Sequence, residues 1–164
     1  MPLREELQFA DDYLDIEVVR FGTEKLRIVK EIAPETLEIL VPSMLLQPLI
    51  ENGIKHGLEP RMGGGTITLS SRLQQDKLVI TVEDDGVGMP AETGAPVRRS
   101  GLLHAGTGVG MRNVRERMQV LCGPEAGFEI LSRPGRGTRV ILTIPLTSAG
   151  NAITQLSEAR SIDR

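Results

Sequence analysis

Apolar residues at Leu3, Leu7, Ala10, Leu14, Val18 and Phe21 recur at steps of three and four, with charged residues between them. That spacing predicts an amphipathic helix ending near Gly22. It starts almost at the first residue without a cap of its own, as either the end of a longer helix or a complete helix packed on its own domain would. From Lys25 to Ile32 charged residues alternate with Leu26, Ile28 and Ile32, the pattern of a half-buried strand that Ala33-Pro34 breaks. A second helix is expected from Pro42 in its first turn, through Leu45, Leu46, Leu49, Ile50 and Ile54, to a stop at Gly57. Pro48 falls inside it and should bend it or thin its hydrogen bonds. Thr66–Leu73 and Leu78–Val82 read as strands joined by the turn Gln74–Lys77. Periodicity then stops from Met89 to Gly106, a stretch punctuated by Pro90, Gly94, Pro96 and Gly101, which predicts a long irregular loop. Val109 to Cys122 returns to helix, with Met111, Val114, Met118 and Leu121 on one face and Gly123-Pro124 as its stop. Phe128–Leu131 and Thr138–Ile144 form an expected hairpin across Pro134–Gly137, and residues 147–164 read as a loose polar tail.

Strand pairings separated by helices predict an α/β fold, a two-layer sandwich of a mixed sheet with helices on one face. The alternation within the strands leaves the other face partly solvated.

Composition narrows the function classes. The chain has 164 residues, no Trp, three Phe and one Tyr, so its core and any binding pocket must be aliphatic. Single-stranded nucleic acid needs aromatic stacking platforms, and a net charge of −3 disfavours a phosphate backbone. Cys122 is the single cysteine, which permits no internal disulfide; it reads as a buried structural thiol. No apolar run approaches the roughly 18 residues of a membrane span.

Three stretches carry candidate chemistry. On the second helix Glu51, Asn52, Lys55 and His56 gather opposite the apolar side. Their oxygens suit a hard cation such as Mg²⁺ and their cationic groups suit phosphate, although a plain solvated helix face has the same pattern. Glu83-Asp84-Asp85-Gly86-Val87-Gly88-Met89 follows a strand, where a carboxylate can accept a hydrogen bond from a purine amine. Gly86 and Gly88 would there let the backbone approach a flat ring. A hairpin turn is the competing reading, and it lacks a partner strand at Met89–Gly94. Gly106-Thr107-Gly108-Val109-Gly110-Met111-Arg112 runs into a helix whose first N–H groups suit phosphate, with Thr107 able to cap it. No Gly-Lys-Ser/Thr follows, which excludes a Walker A loop, and no strand precedes it as a Rossmann motif requires.

The order of these stretches resembles the nucleotide-binding module shared by gyrase, Hsp90, histidine kinases and MutL, the Bergerat fold. Gln47-Pro48-Leu49-Ile50-Glu51-Asn52-Gly53-Ile54-Lys55-His56-Gly57 looks like its N box. Asp84-Asp85-Gly86-Val87-Gly88 and Gly106–Gly110 look like its two glycine boxes, and Gly137-Thr138 like its closing strand. The nearer resemblance is to LytS-type sensor histidine kinases. It rests on Asn113-Val114-Arg115-Glu116-Arg117 after the second glycine box and on Glu5-Glu6-Leu7 through Tyr13-Leu14-Asp15-Ile16-Glu17 and Arg20-Phe21. It covers about residues 3–146.

The resemblance implies an ATP-binding catalytic domain at 23–146, preceded by the end of a dimerisation or linker helix at 1–22 and followed by a disordered tail at 147–164. ATP and Mg²⁺ would be its cofactors. Asn52 would ligate Mg²⁺, with Glu51 supporting the ion or polarising the transfer. Lys55 and His56 would face the phosphates, and Glu51, Asn52 and Lys55 would be the catalytic set. Asp84 would take the adenine amine, Gly86 and Gly88 the base, and Thr138 would hold the adenine side through water. Gly106, Thr107, Gly108, Val109, Gly110 and Met111 would surround the triphosphate beneath a lid from Met89 to Thr107. Implied partners are the parent kinase's own dimerisation and phosphoacceptor domain and a response regulator, with no nucleic acid and no direct membrane contact. The implied place is the cytoplasmic part of a membrane-anchored sensor. Asp85 departs from a common Asn and adds charge near the nucleotide, and Gly53 departs from a usual Ala at a cost to the helix of about 1 kcal/mol. The phosphoacceptor histidine that precedes Glu5-Glu6-Leu7 in such kinases is not among these residues. His104 and Arg98-Arg99 read as solvated loop residues. Two other classes remain in competition: an ATP-hydrolysing clamp of the gyrase or MutL type, with Glu51 activating water, and a non-catalytic nucleotide-binding scaffold.

Overall fold

The computed structural model describes residues 1–22, 24–60, 63–88, 97–100 and 109–146. Helix α1 (Leu3–Phe21) leads into strand β1 (Leu26–Ile32) and a single 3₁₀ turn at Pro34–Thr36. Helix α2 (Leu46–Asn52) continues as a wider helical turn over Gly53–Leu58. Then come β2 (Gly65–Gln74), β3 (Lys77–Asp84), β4 (Val97–Ser100), α3 (Val109–Cys122), β5 (Gly127–Arg133) and β6 (Gly137–Pro145).

The strands form one six-stranded sheet in the order β1-β2-β3-β6-β5-β4. Only β1 and β2 run parallel, so the sheet is mixed, as the pattern predicts. Alternation along each strand assigns its faces. Ile67 and Leu69, Leu78, Ile80 and Val82, Phe128 and Ile130, and Val140, Leu142 and Ile144 point into a single core. Leu7, Ala10 and Leu14 of α1, Leu46, Leu49 and Ile50 of α2, and Met111, Val114 and Met118 of α3 meet them there. Thr68, Ser70, Thr81, Glu83, Arg139 and Thr143 occupy the alternate positions on the opposite face. An exposed Arg139–Glu83 ion pair at 3.2 Å spans that face. Each fully buried Leu or Ile contributes about 1.5–3 kcal/mol, which is what holds three helices to one side.

Several expectations need correction. Residues 97–100 are not loop: β4 pairs antiparallel with β5, Val97 opposite Ser132 and Ser100 opposite Glu129. Two arginines in four residues conceal it, because a short charged strand is how a sheet edge is protected. Helix α2 starts at Leu46, not near Pro42, so Pro48 stands in its first turn, where no intrahelical N–H partner is lost. Nor does Gly57 end that helix. The chain continues through Leu58 by a bond from the Glu59 N–H to the Ile54 carbonyl at 2.8 Å, five residues back. On α3 the fourth core position is Cys122, 5% exposed, while Leu121 turns outward. Burial raises the Cys122 thiol above its ordinary value, in keeping with an inert packing role. The tail at 147–164 lies outside the described residues.

Because Pro48 costs α2 no hydrogen bond, Pro48→Ala should change stability by less than about 1 kcal/mol in urea unfolding. Relief of an interior proline would instead add about 3 kcal/mol.

Candidate functional site

The carboxylate of Asp84, at the last position of β3, lies on the core face of the sheet and is 5% exposed. Thr138 is its register partner on β6 and is itself paired with Ser132 on β5. The Ser132 and Thr138 hydroxyls sit 3.0 Å apart, so a polar row crosses the sheet at this end. The Gly86 N–H donates to Asp84 Oδ1 at 2.9 Å, and the Thr138 backbone also supports the carboxylate. Burial outweighs these bonds, with Asp85 and Glu83 adding repulsion, and pushes Asp84 from 3.8 up to about 6. Such a displaced carboxylate at a strand end is a mark of a binding site.

Above it passes the helix that carries the polar stripe. A Cβ at Gly57 would come within 2.4 Å of Asp84 Oδ1, and one at Gly53 within 3.4 Å of Oδ2. The helix can therefore lie over the carboxylate because it presents glycine at 57, where a Cβ would collide with Asp84, whereas a Cβ at 53 would make only ordinary contact with it. Sequence reading takes Gly57 as a helix stop and Gly53 as a cost. Their contact with Asp84 is the signal it misses, since the partner is some thirty residues away.

The stripe itself is exposed beside this contact. Lys55 Nζ donates to Glu51 Oε1 across one helical turn at 2.5 Å, and that bond raises the Lys55 ammonium above its usual value. Glu51 is thus held by Lys55 at the edge of the site. His56 is exposed and Asn52 half-buried, with no hydrogen-bond partner for the Asn52 amide among the described residues. Tyr13 of α1 lies close enough for Glu51 to matter. Its phenol is pushed up to about 12 by burial first, then by Glu17 and Glu51.

The first glycine box lies in close backbone packing. A Cβ at Gly86 would fall 2.2 Å from the Gly57 carbonyl, and one at Gly88 2.2 Å from the Arg133 carbonyl. Both glycines serve backbone-to-backbone packing within the chain, reinforced by the Val87 N–H on the Gly57 carbonyl at 3.0 Å. Gly88 also has φ +72, a conformation that favours glycine. Asp85 turns away from Asp84, and its Oδ1 accepts the Thr66 N–H at 2.7 Å. An Asn oxygen could accept the same bond, which is why either residue fits.

Of the second glycine box, Gly106, Thr107 and Gly108 lie outside the described residues, and Val109 and Gly110 are the first residues of α3. The Met111 side chain is buried at 1% exposure, so any contact it makes with phosphate must come from its backbone. His104 also lies outside the described residues.

Glu51, Asn52, Lys55 and His56 thus stand on a helix that rests directly on Asp84, with Thr138 alongside. Over residues 40–148 the chain matches the family described as histidine kinase-, DNA gyrase B-, and HSP90-like ATPase. The chain belongs to that ATPase family. Nucleotide binding is therefore the property of this domain. It is 35% identical to the sensor histidine kinase YesM of Bacillus subtilis over 87% of its own length and 23% of that protein's. It is 33% identical to the sensor protein LytS of Staphylococcus saprophyticus, over 87% of this chain and 24% of that one. The chain spans about a quarter of the length of these relatives. Among solved structures it resembles a blue-light activated histidine kinase of Erythrobacter litoralis, with a TM-score of 0.62 and 25% identity over 90% of this chain and 42% of that one. Among the described residues no helix of this ATPase-family domain is long and apolar enough to cross a membrane.

A raised Asp84 makes folding and binding oppose one another. The folded state holds this proton more tightly than the unfolded chain, so the group's contribution is fully present below about pH 4. It is lost as pH rises through about 6. Asp84→Asn should remove that falling limb from urea unfolding and be more stable at pH 7 by on the order of 2 kcal/mol. An unchanged pH profile in the variant would show that Asp84 is not the titrating group.

Proposed function

We propose that this chain is the catalytic, ATP-binding domain of a LytS-like sensor histidine kinase. In the parent protein it would pass the γ-phosphoryl group of ATP to a histidine outside these residues, and thence to a response-regulator aspartate. The observation that carries this reading is the placement of the Asn52 helix directly over the buried Asp84 carboxylate. It puts a hard-oxygen and cationic stripe beside a base-recognition group. The relatives that are sensor histidine kinases support the reaction class.

In this reading the ionised Asp84 accepts a hydrogen bond from the adenine amine while Gly86 and Thr138 fix its orientation. Thr138 faces the same edge of the base through water. Asn52 and Glu51 offer amide and carboxylate oxygens, the donor set that Mg²⁺ prefers. When bound, that ion would neutralise charge on the transferring phosphoryl group. Lys55 and His56 face the phosphates from the helix, and the first residues of α3, Val109, Gly110 and Met111, take the triphosphate on their backbone N–H groups. The partners are the parent's dimerisation and phosphoacceptor domain and a response regulator. Its place is the cytoplasmic portion of a membrane-anchored sensor. The competing reading, an ATP-hydrolysing clamp with Glu51 activating water, predicts sustained phosphate release by the chain alone.

Two measurements test the reading. Calorimetry with Mg-ATP should show binding that Asp84→Asn weakens at least about tenfold, or about 1.4 kcal/mol. With radiolabelled ATP the chain should label a supplied dimerisation helix of a LytS-type kinase and not itself. Labelling at His56 or His104 of this chain, or sustained phosphate release without an acceptor, would overturn the assignment.

A further inference from the structure

Helix α2 has no cap within its own sequence: its N-cap position is Leu45, which offers no side-chain acceptor. The acceptor comes from α1. Glu6, 2% exposed among the core residues Leu3, Leu7 and Ala10, reaches across to the start of α2. Its Oε1 accepts the Leu45 N–H at 2.6 Å and the Leu46 N–H at 2.9 Å, and its Oε2 accepts the Met44 N–H at 3.1 Å. Pro48 has no N–H to satisfy. One buried carboxylate thus meets most of the donors that a helix start leaves open, at the end where negative charge is favoured.

The other side of the same turn is held as well. Met44 has φ +58, a strained conformation for a side chain of its kind. Arg117 of α3 donates to the Ser43 and Met44 carbonyls while Glu6 takes the Met44 N–H, so the strained residue is gripped from both helices. Just past the wide helical turn at Gly53–Leu58, Arg20 of α1 bridges Glu17 and Glu59. Glu6 to Leu45 and Arg20 to Glu59 span the same offset of 39 residues. The two helices therefore run parallel in a single register, clamped at both ends of the segment that bears Glu51, Asn52, Lys55 and His56. An axial slip of one residue, about 1.5 Å, would break both clamps together.

We infer that Glu6 and Arg20 are positioning residues for the nucleotide site: α1 sets where Asn52 stands by capping and latching the helix that carries it. The family match begins at residue 40, so α1 lies outside the matched segment. This inference rests on the proposed nucleotide site for its functional consequence but not for its structural one, and the test separates them.

Amide hydrogen exchange on the ligand-free chain reads the structural part. Glu6→Gln keeps one acceptor oxygen and the side-chain volume but loses the second carboxylate oxygen. It should speed exchange at Leu49–Asn52 about fivefold and leave Leu78–Val82 unchanged. Calorimetry then reads the functional part: the same variant should weaken Mg-ATP binding about fivefold while adenosine, which needs only the Asp84 end, binds as before. Arg20→Glu should act similarly, and Arg20→Glu combined with Glu59→Arg should restore Mg-ATP affinity. Uniformly faster exchange, equal loss for both ligands, or no recovery in the swapped pair would reduce α1 to a merely stabilising helix and overturn the inference. Should the unaltered chain bind no nucleotide, the proposed function fails while the exchange result still decides for or against Glu6.

Discussion

A carboxylate buried beneath a helix is the constraint around which this domain is arranged. Asp84 can occupy the core face of the sheet only if the helix above it lacks a Cβ at Gly57. Its displaced ionisation is the energetic mark of that position. The Gly86 N–H and the Thr138 backbone are what keep an acceptor there at all. A free-standing domain gains nothing from such a group, since an apolar residue would pack at less cost. The cost makes sense where a ligand supplies the missing hydrogen bond.

Glycine usage follows from the same point. Helix α2, the turn after β3 and the β5–β6 hairpin approach one another with backbone against backbone: Gly57 on Gly86, Gly88 on Arg133, and Gly137 with φ +94 on Asp84. These contacts fix the backbone around the Asp84 carboxylate. The wide helical turn at Gly53–Leu58 lies in this crowded region, where two glycines weaken the ordinary helical preference.

Much of this was legible in the residues themselves. Leu3–Phe21 and Val109–Cys122 were readable as helices because their apolar positions keep a helical period over about five and about four turns. Asp84 stood out because a carboxylate closes an apolar strand and is followed by glycines with no partner strand behind them. Residues whose role depends on distant partners were harder to read. Gly57 looks like a stop until Asp84 is placed beneath it, and Arg98-Arg99 look like loop until β5 is beside them. Glu6 did leave a trace. It falls on the apolar face between Leu3 and Leu7, where a carboxylate needs donors, but periodicity does not say that those donors lie almost forty residues on. Pro48 misleads in the other direction, because Pro42 suits a first helical turn while the helix starts only at Leu46.

The central claim is that one nucleotide joins the Asp84 floor to the Asn52 helix. A crystal structure of this chain with Mg²⁺ and a non-hydrolysable ATP analogue tests it most directly. The account predicts the adenine amine about 3 Å from an Asp84 carboxylate oxygen, with Asn52 Oδ1 directed at the cation. A base seated elsewhere, with Asp84 still bonded only to Gly86 and Thr138, would contradict it.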